Sequence, residues 1–347
     1  MADRHNILFE AARLHFEEGL KQDDVARRLK VSRPTAARYL AMAKEMGYVQ
    51  VRVLDPKGHA YLHDLEILLT ERFPTLREAV LTSSRPESVQ PGNILARRAV
   101  TDELAERAAN RVDQLLTTRR RSDVPVVAVA RGEMIDNVVR RVRPSRPLPE
   151  LEVLPLLGYL RSRDYPYDAN RLAQELARIY SGNYEWIPAP AVMTPEEAQV
   201  VRHMPLVAAP LRKLHEDATI VITSISCPFL TGADGRPELR EQTLLQSGRV
   251  EARSIIAMVE REQVVGEICG WYYNRERIVN LPGVTVLGLD PERQRALAAD
   301  PERSVIGVAG GDPDRFEAVD AAVRLGLINV LVTDYLTAHR LLERAGK

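Results

Sequence analysis

The chain has 347 residues with 48 basic and 48 acidic side chains, so its formal net charge is zero and a uniformly polycationic protein is excluded. Two cysteines, Cys227 and Cys269, are too few for a disulfide framework, which favours a reducing cytoplasmic location. No apolar stretch approaches the ~18 residues that span a bilayer, and the charged N-terminus does not match a signal peptide. The sequence therefore predicts a cytoplasmic protein with no membrane partner.

Positive charge is concentrated near the N-terminus, where six basic residues lie between Arg27 and Lys44 with no acidic residue among them. Apolar spacing predicts three helices in this region, at about 6–18, 22–29 and 32–46. Ser32 can cap the third helix, and Pro34 is tolerated in its first turn because the missing donor is not needed there. Two helices joined by the short Lys30-Val31 connection predict a helix-turn-helix, although a positive φ at Lys30 would be strained.

The third helix is predicted to have a buried face and a DNA-facing side. The residues expected inward are Val31, Ala36, Tyr39 and Leu40, and those expected to contact DNA are Arg27, Arg28, Ser32, Arg33, Thr35 and Arg38. Arginine can donate two hydrogen bonds to guanine or pair with a phosphate, and serine and threonine can reach either. The alternatives are a generic three-helix domain with a solvated basic face, and a module that binds something other than DNA.

The next segment predicts the end of this domain. In residues 49–53 valines alternate with Gln50 and Arg52, which predicts a half-buried strand, the wing of a winged helix-turn-helix domain over residues 1–55. A break at 55–58 is followed by a helix with leucines on one side. Residues 56–75 are therefore predicted to form a linker, which could also be a dimerisation helix.

From residue 76 to 347 short apolar runs alternate with amphipathic helical segments. Continuous apolar strands between helices predict a mainly parallel α/β sheet that is covered on both faces. The predicted strands lie at 77–82, 124–130, 151–157, 184–187, 218–224, 304–309 and 328–332.

The stretch "ARLHFEEGLKQDDVARRLKVSRPTAARYLAMAKEMGYVQVRV" resembles the N-terminal module of SorC/DeoR-type bacterial transcriptional regulators. The segments "WIPAPAVM", "VVGEICGWYYN" and "VAGGDPDRFEAVDAAVRLGLINVLVTDYLTAHRLLE" resemble the sugar-binding domain of the same family, in the same order. The resemblance spans nearly the whole chain. It implies a C-terminal effector domain related to sugar-phosphate isomerases and glucosamine-phosphate deaminases, operator DNA as a partner, and a homodimer or homotetramer.

Glycine-containing turns follow three predicted strands, and a parallel sheet binds ligands outside the C-terminal ends of its strands. The residues expected to contact the effector are Arg131, Gly132, Gly158, Glu267, Gly310, Gly311 and Arg315. The resemblance implies that Glu267 accepts hydrogen bonds from sugar hydroxyls and that Arg315 replaces a lysine common in the family. A glycine after a strand is also often no more than a turn, which is the alternative for Gly132 and Gly158.

The chain departs from the family pattern at the first of these turns. Family members often have "SWGxT", whose threonine bonds a phosphate, whereas this chain has "ARGEM" with Arg131 at the tryptophan position and Met134 at the threonine position. The expected effector is a small sugar phosphate, with an unphosphorylated sugar or polyol as the alternative.

Metal and enzyme functions are the remaining hypotheses. His59 and His63 are four residues apart, but nothing completes a zinc pattern, so no metal site and no cofactor are predicted. The enzyme relatives suggest an alternative, a sugar-phosphate isomerase or deaminase with an appended DNA-binding module. Glu267 or Asp334 would then be the general base, although Asp334 is better explained as a helix N-cap.

Overall fold

The computed structural model of the chain describes residues 2–45, 49, 56–83, 94–118, 124–160, 165–231, 237–240 and 243–346. The chain divides into two compact units, Met1–Pro56 and Lys57–Lys347.

The smaller unit is a helical domain with a small apolar core. Its helices are α1 (Ala2–Ala12), which continues as a π-helical turn over Arg13–Glu17, α2 (Gln22–Arg28) and α3 (Arg33–Glu45). All three helices contribute buried residues to one cluster, including Ala11, Ala26 and Leu40. Val31 and Tyr39 are partly buried against it, so the predicted inward side of α3 is confirmed. The predicted wing strand at 49–53 lies outside the described residues, apart from Val49.

The turn between α2 and α3 places Lys30 in the left-handed region, with φ of 55°. The Lys30 amide donates to the Arg27 carbonyl at 3.2 Å, and the Val31 amide donates to the Ala26 carbonyl at 3.0 Å. Residues other than glycine and asparagine are strained in this backbone conformation by about 1 kcal/mol. The helix-turn-helix is therefore closed by backbone hydrogen bonds that hold a strained lysine.

The larger unit begins with α4 (Pro56–Arg72), the segment predicted as a linker or dimerisation helix. Leu62, Leu65 and Leu69 on this helix are buried in the main core of the larger unit. Its other side exposes Tyr61, Ile67 and Leu68. The helix thus contributes apolar residues to the core and also carries apolar residues that are about half exposed.

The centre of the larger unit is a seven-stranded sheet in which every pairing is parallel, as the sequence predicted. In spatial order its strands are β1 (Glu78–Thr82), β14 (Val330–Asp334), β13 (Ser304–Val308), β6 (Ile220–Ser224), β2 (Val126–Val129), β3 (Glu152–Pro155) and β4 (Asn183–Tyr184). Every residue of β13 and β14 is buried. This burial on both faces explains why apolar residues are consecutive over most of each strand, at 305–308 and 330–332, instead of alternating with polar ones.

Helices and short antiparallel strands surround this sheet. The helices are α5 (Ile94–Thr117), α6 (Glu133–Arg141), α7 (Ala169–Tyr180), α8 (Pro195–Val201), α9 (Pro205–Glu216), α10 (Thr243–Gln246), α11 (Ala252–Glu262), α12 (Pro291–Ala299), α13 (Phe316–Arg324) and α14 (Tyr335–Ala345). The short strands are β5 (Val192–Met193), β7 (Phe229–Thr231), β8 (Pro237–Leu239), β9 (Gly266–Ile268), β10 (Trp271–Tyr273), β11 (Ile278–Val279) and β12 (Thr285–Val286). Sequence periodicity predicted none of these short strands.

Candidate functional site

The first candidate surface is the N-terminal half of α3. The Thr35 amide donates to the Ser32 hydroxyl at 3.3 Å, and the two hydroxyl groups lie 2.8 Å apart. Ser32 therefore caps the helix while remaining exposed. A capped and exposed helix N-terminus presents free amide groups that attract phosphate.

The arginines around α3 are exposed, but two of them are paired with acids. Arg33 forms an ion pair with Asp23 at 3.2 Å, and Arg27 pairs with Asp24. Residues 27–44 contain no acidic residue, but folding brings Asp23 of α2 beside Arg33 of α3, and Asp24 pairs with Arg27 within α2 itself. The predicted DNA-contacting side is therefore not free of carboxylates. Arg28 and Arg38 are exposed as well.

The second candidate site lies where the strand order of the large sheet reverses. β2, β3 and β4 follow one another towards one edge, whereas β6, β13 and β14 follow one another towards the other. Ligands of such sheets bind in the crevice outside the C-terminal ends of the two central strands. A cavity of about 1020 Å³ lies there, lined by residues that follow β2, including Arg131 and Gly132, and by Ser224 to Ser226 at the end of β6. We call it the switch-point cavity.

Three arginines give the switch-point cavity its charge. Arg131, Arg240 and Arg315 line it, and each has a buried nitrogen with no hydrogen-bond partner among the described residues. Burial, and next the neighbouring Arg240 guanidinium, lower the pKa of Arg315. A buried donor without a partner costs about 1–3 kcal/mol. The cavity is therefore a site where an anionic ligand would satisfy donors that the described residues leave without a partner.

A buried carboxylate forms another part of the wall. Glu267 lines the cavity, and its Oε1 accepts hydrogen bonds from the Thr243 hydroxyl at 2.9 Å and from the Gly270 amide. These bonds fix the carboxylate in one orientation. A fixed carboxylate is an acceptor for hydroxyl donors, so the cavity combines anion-binding and hydroxyl-binding groups.

The predicted glycines are placed differently from one another. Gly132 lines the cavity, has φ of 115° and precedes α6. Gly158 does not line it, and a Cβ there would lie 2.2 Å from the Ala189 carbonyl oxygen, so this glycine allows two backbone segments to pack. Gly310 and Gly311 also lie outside the lining residues. A Cβ on Gly310 would meet the Asp334 carboxylate, and the Gly311 amide donates to that carboxylate at 2.7 Å.

Asp334 caps α14, as the sequence predicted. Its carboxylate accepts hydrogen bonds from both the amide and the hydroxyl of Thr337, each at 3.0 Å. It therefore stabilises the helix and the glycine turn, and it does not line the switch-point cavity.

Sequence reasoning missed Arg240 and Thr243. Arg240 directly follows β8 and Thr243 is the first residue of α10, in a region with no predicted strand. The Arg240 amide donates to the Pro228 carbonyl at 3.0 Å beside the paired strands β7 and β8, which places this arginine at the cavity. The available signal was a single arginine without a motif, which is not sufficient for a prediction.

A family profile described as "Putative sugar-binding domain" matches residues 61–343. The chain belongs to this family. The chain is also similar, over nearly its whole length, to named transcriptional regulators. The Deoxyribonucleoside regulator of Bacillus subtilis (strain 168) is 25% identical over 348 residues, covering 98% of each chain. The transcriptional regulator LsrR of Enterobacter sp. (strain 638) is 25% identical over 344 residues, covering 98% of this chain and 94% of LsrR.

The fold of the chain matches that of a transcriptional regulator of known structure. The full-length sorbitol operon regulator SorC from Klebsiella pneumoniae superposes with a TM-score of 0.72 at 20% identity, covering 97% of this chain and 98% of SorC. The resemblance to SorC/DeoR-type regulators is confirmed. The chain is an effector-controlled DNA-binding transcriptional regulator, and its similarity to named regulators favours this function over the enzyme alternative.

The described residues contain neither a membrane-spanning helix nor a metal-ligand cluster. No helix among them is long and apolar enough to cross a membrane. They also contain no group of three or more histidine, cysteine, aspartate or glutamate side chains that could hold a metal ion.

Proposed function

We propose that α3 reads the operator in the major groove and that a sugar phosphate bound in the switch-point cavity sets the affinity for operator DNA. The proposal is carried by one cavity that contains an oriented carboxylate and three buried guanidinium nitrogens to which no other described residue is hydrogen-bonded. A phosphate satisfies the arginine donors, and sugar hydroxyls donate to Glu267. The effector-binding residues are Arg131, Gly132, Arg240, Glu267 and Arg315.

On the DNA side, the exposed residues of α3 have different roles. Arg33, Thr35 and Arg38 reach base edges or phosphates from the helix itself, and Ser32 contacts a phosphate at its N-terminus. Arg27 and Arg28 contact the DNA backbone from the end of α2. Asp23 competes with DNA for Arg33, so the ion pair opens when the operator binds.

The regulator acts as a homodimer or homotetramer, so that two copies of α3 read half-sites about one helical turn of DNA apart or a multiple of it. The exposed apolar side of α4, with Tyr61, Ile67 and Leu68, supports self-association, because adjacent exposed apolar residues often mark protein interfaces. The effector changes operator affinity by binding one arrangement of this assembly more tightly than another.

A gel-shift titration of the purified protein on DNA from upstream of its own gene tests the proposal. The titration is repeated with neutral sugars and with sugar phosphates, and we expect specific binding whose affinity changes with at least one sugar phosphate. The same compounds are tested for turnover. Catalytic turnover without ligand-dependent DNA binding would favour the isomerase or deaminase alternative and contradict the proposal.

A further inference from the structure

The loop between β13 and α13, residues 310–316, carries Arg315 to the wall of the switch-point cavity. The Nε atom of Arg315 is buried and has no hydrogen-bond partner among the described residues. Near its start the same loop is attached to α14, because the Gly311 amide donates to the Asp334 carboxylate at 2.7 Å. Asp334 also caps α14 through the Thr337 amide and hydroxyl, so one carboxylate joins the loop to the helix.

Arg340, in the middle of α14, makes the second attachment of this loop. Its Nη1 donates to the Pro313 carbonyl at 3.3 Å, and its guanidinium carbon lies 4.0 Å from the centre of the Phe316 ring. A guanidinium this close to an aromatic face is attracted by the electron density of the ring. The loop that places Arg315 at the cavity is therefore held by α14 at both of its ends.

α14 in turn contacts α4 at two points. The hydroxyls of Tyr335 and Tyr61 lie 3.3 Å apart and their ring centres 5.8 Å apart, in the first half of each helix. Arg72, the last residue of α4, donates to the carbonyl of Ala345, the last residue of α14. Since an α-helix rises 1.5 Å per residue, the two contacts are about 16 Å apart along α4. Contacts at this separation restrain tilting as well as sliding, so the two helices move as a pair.

α4 is the covalent connection between the two units of the chain. It begins at Pro56, where the smaller unit ends. The smaller unit contains α3, the proposed recognition helix. A displacement of α4 therefore reaches the DNA-reading unit through the backbone.

We infer, on the basis of the proposed function, that α14 transmits effector binding from the switch-point cavity to the helix-turn-helix. The effector gives Arg315 a hydrogen-bond partner and so favours one position of the 310–316 loop. The two attachments of the loop pass this displacement to α14, and the Tyr335–Tyr61 contact passes it to α4. Arg340 and Tyr61 do not line the cavity, so they control the response to the ligand and not its binding.

Operator binding by the full-length protein tests this transmission, with labelled DNA from upstream of its own gene and fluorescence anisotropy. The probes are ribose 5-phosphate and fructose 6-phosphate, and calorimetry without DNA gives the affinity of the protein for each probe. We expect at least one probe to change the operator dissociation constant of the wild type by about fivefold or more. Tyr61→Ala should reduce this change to less than about twofold and keep the affinity for the probe within about twofold, because binding and transmission involve different residues.

Leu68→Ala is the matched control. Tyr61 and Leu68 are 48% and 47% exposed on the same helix, but a leucine has neither a hydroxyl group nor a ring with which to contact Tyr335. The control should therefore keep the response of the wild type. Tyr61→Phe keeps the ring and should respond more strongly than Tyr61→Ala. A thermal midpoint measured for each variant establishes that it is folded.

A second arm of the experiment needs no ligand. Arg340→Met frees the 310–316 loop and should by itself change operator affinity by about twofold or more. In a Tyr61→Ala background the same substitution should have no measurable effect, because the connection from the loop to α4 is already broken. Substitutions at independent sites would instead contribute additively to the binding free energy.

Two results would overturn the inference. One is a wild-type response to a probe that Tyr61→Ala retains in full or that Leu68→Ala loses equally, and the proposed function would then stand without this transmission. The other is an effect of Arg340→Met on operator affinity that is absent, or that is the same in the wild type and in Tyr61→Ala. If neither probe changes the operator affinity of the wild type, the proposed function fails for these sugar phosphates, and the ligand-free arm still decides the transmission.

Discussion

Replacing Arg315 with methionine should stabilise the protein without ligand and abolish its response to the effector. Arg315 has a buried nitrogen with no hydrogen-bond partner among the described residues, and Arg240 lies beside it with the same charge. An unsatisfied buried donor costs about 1–3 kcal/mol. After allowing for lost packing contacts, we expect Arg315→Met to raise the free energy of unfolding by about 1 kcal/mol, which is about 2 °C in thermal midpoint for a unit of this size.

When the ligand is present, the wild type should become more stable than the Arg315→Met variant. A ligand at about 100 times its dissociation constant stabilises the wild type by about 2.7 kcal/mol, and the variant should gain little. Thermal unfolding is followed with and without the tightest-binding sugar phosphate. Arg344→Met is a matched control outside the cavity, because Arg344 donates to both oxygens of Glu317 at 2.9 and 2.8 Å. This control should lower the midpoint and keep the ligand-induced shift. A less stable Arg315→Met variant that still responds to ligand would refute the reasoning.

The remaining predictions concern the helix-turn-helix. Arg38→Ala should weaken operator binding and reduce the slope of log affinity against log salt by about 0.9 if Arg38 contacts one phosphate; wild-type affinity in both this variant and Arg33→Ala would contradict the assignment of α3 as the recognition helix. Asp23→Asn removes the acid 3.2 Å from Arg33 and should tighten operator binding at low salt up to about fivefold, as measured by fluorescence anisotropy; weaker binding would show that the ion pair positions Arg33 for DNA. Lys30→Gly should raise the free energy of unfolding of the smaller unit by about 0.5–1 kcal/mol, because the φ of 55° is unstrained for glycine. Urea unfolding of the smaller unit measures this change. An unchanged free energy of unfolding would mean that the strain at Lys30 is relieved elsewhere.

Elements with a strong local signal could be predicted from the sequence. β13 and β14 consist mostly of consecutive apolar residues because both faces are buried. α3 has a serine cap and a proline in its first turn. The short strands, such as β5 and β12, contain only two residues each and exist because they pair with each other across the fold. No local pattern specifies such a pairing.

The residues of the candidate site also differ in whether the sequence could predict their positions. Arg131 and Arg315 follow predicted strands of a parallel sheet, so their approach to one cavity could be anticipated from topology. Arg240 could not, since its position depends on how the segment containing β7 and β8 packs beside the sheet. Gly158 also follows a strand, but close packing against the Ala189 backbone, which only the folded chain reveals, accounts for it.

The most direct test of the central claim is the operator affinity of the full-length protein with and without the tightest-binding sugar phosphate, measured in parallel for the wild type and for Arg315→Met. We predict that the ligand changes the dissociation constant of the wild type by about fivefold or more, as expected for a coupling free energy of at least about 1 kcal/mol. The variant should bind the operator as the ligand-free wild type does, whether or not ligand is present. An operator affinity that is independent of ligand in the wild type, or that responds equally in both proteins, would contradict the account.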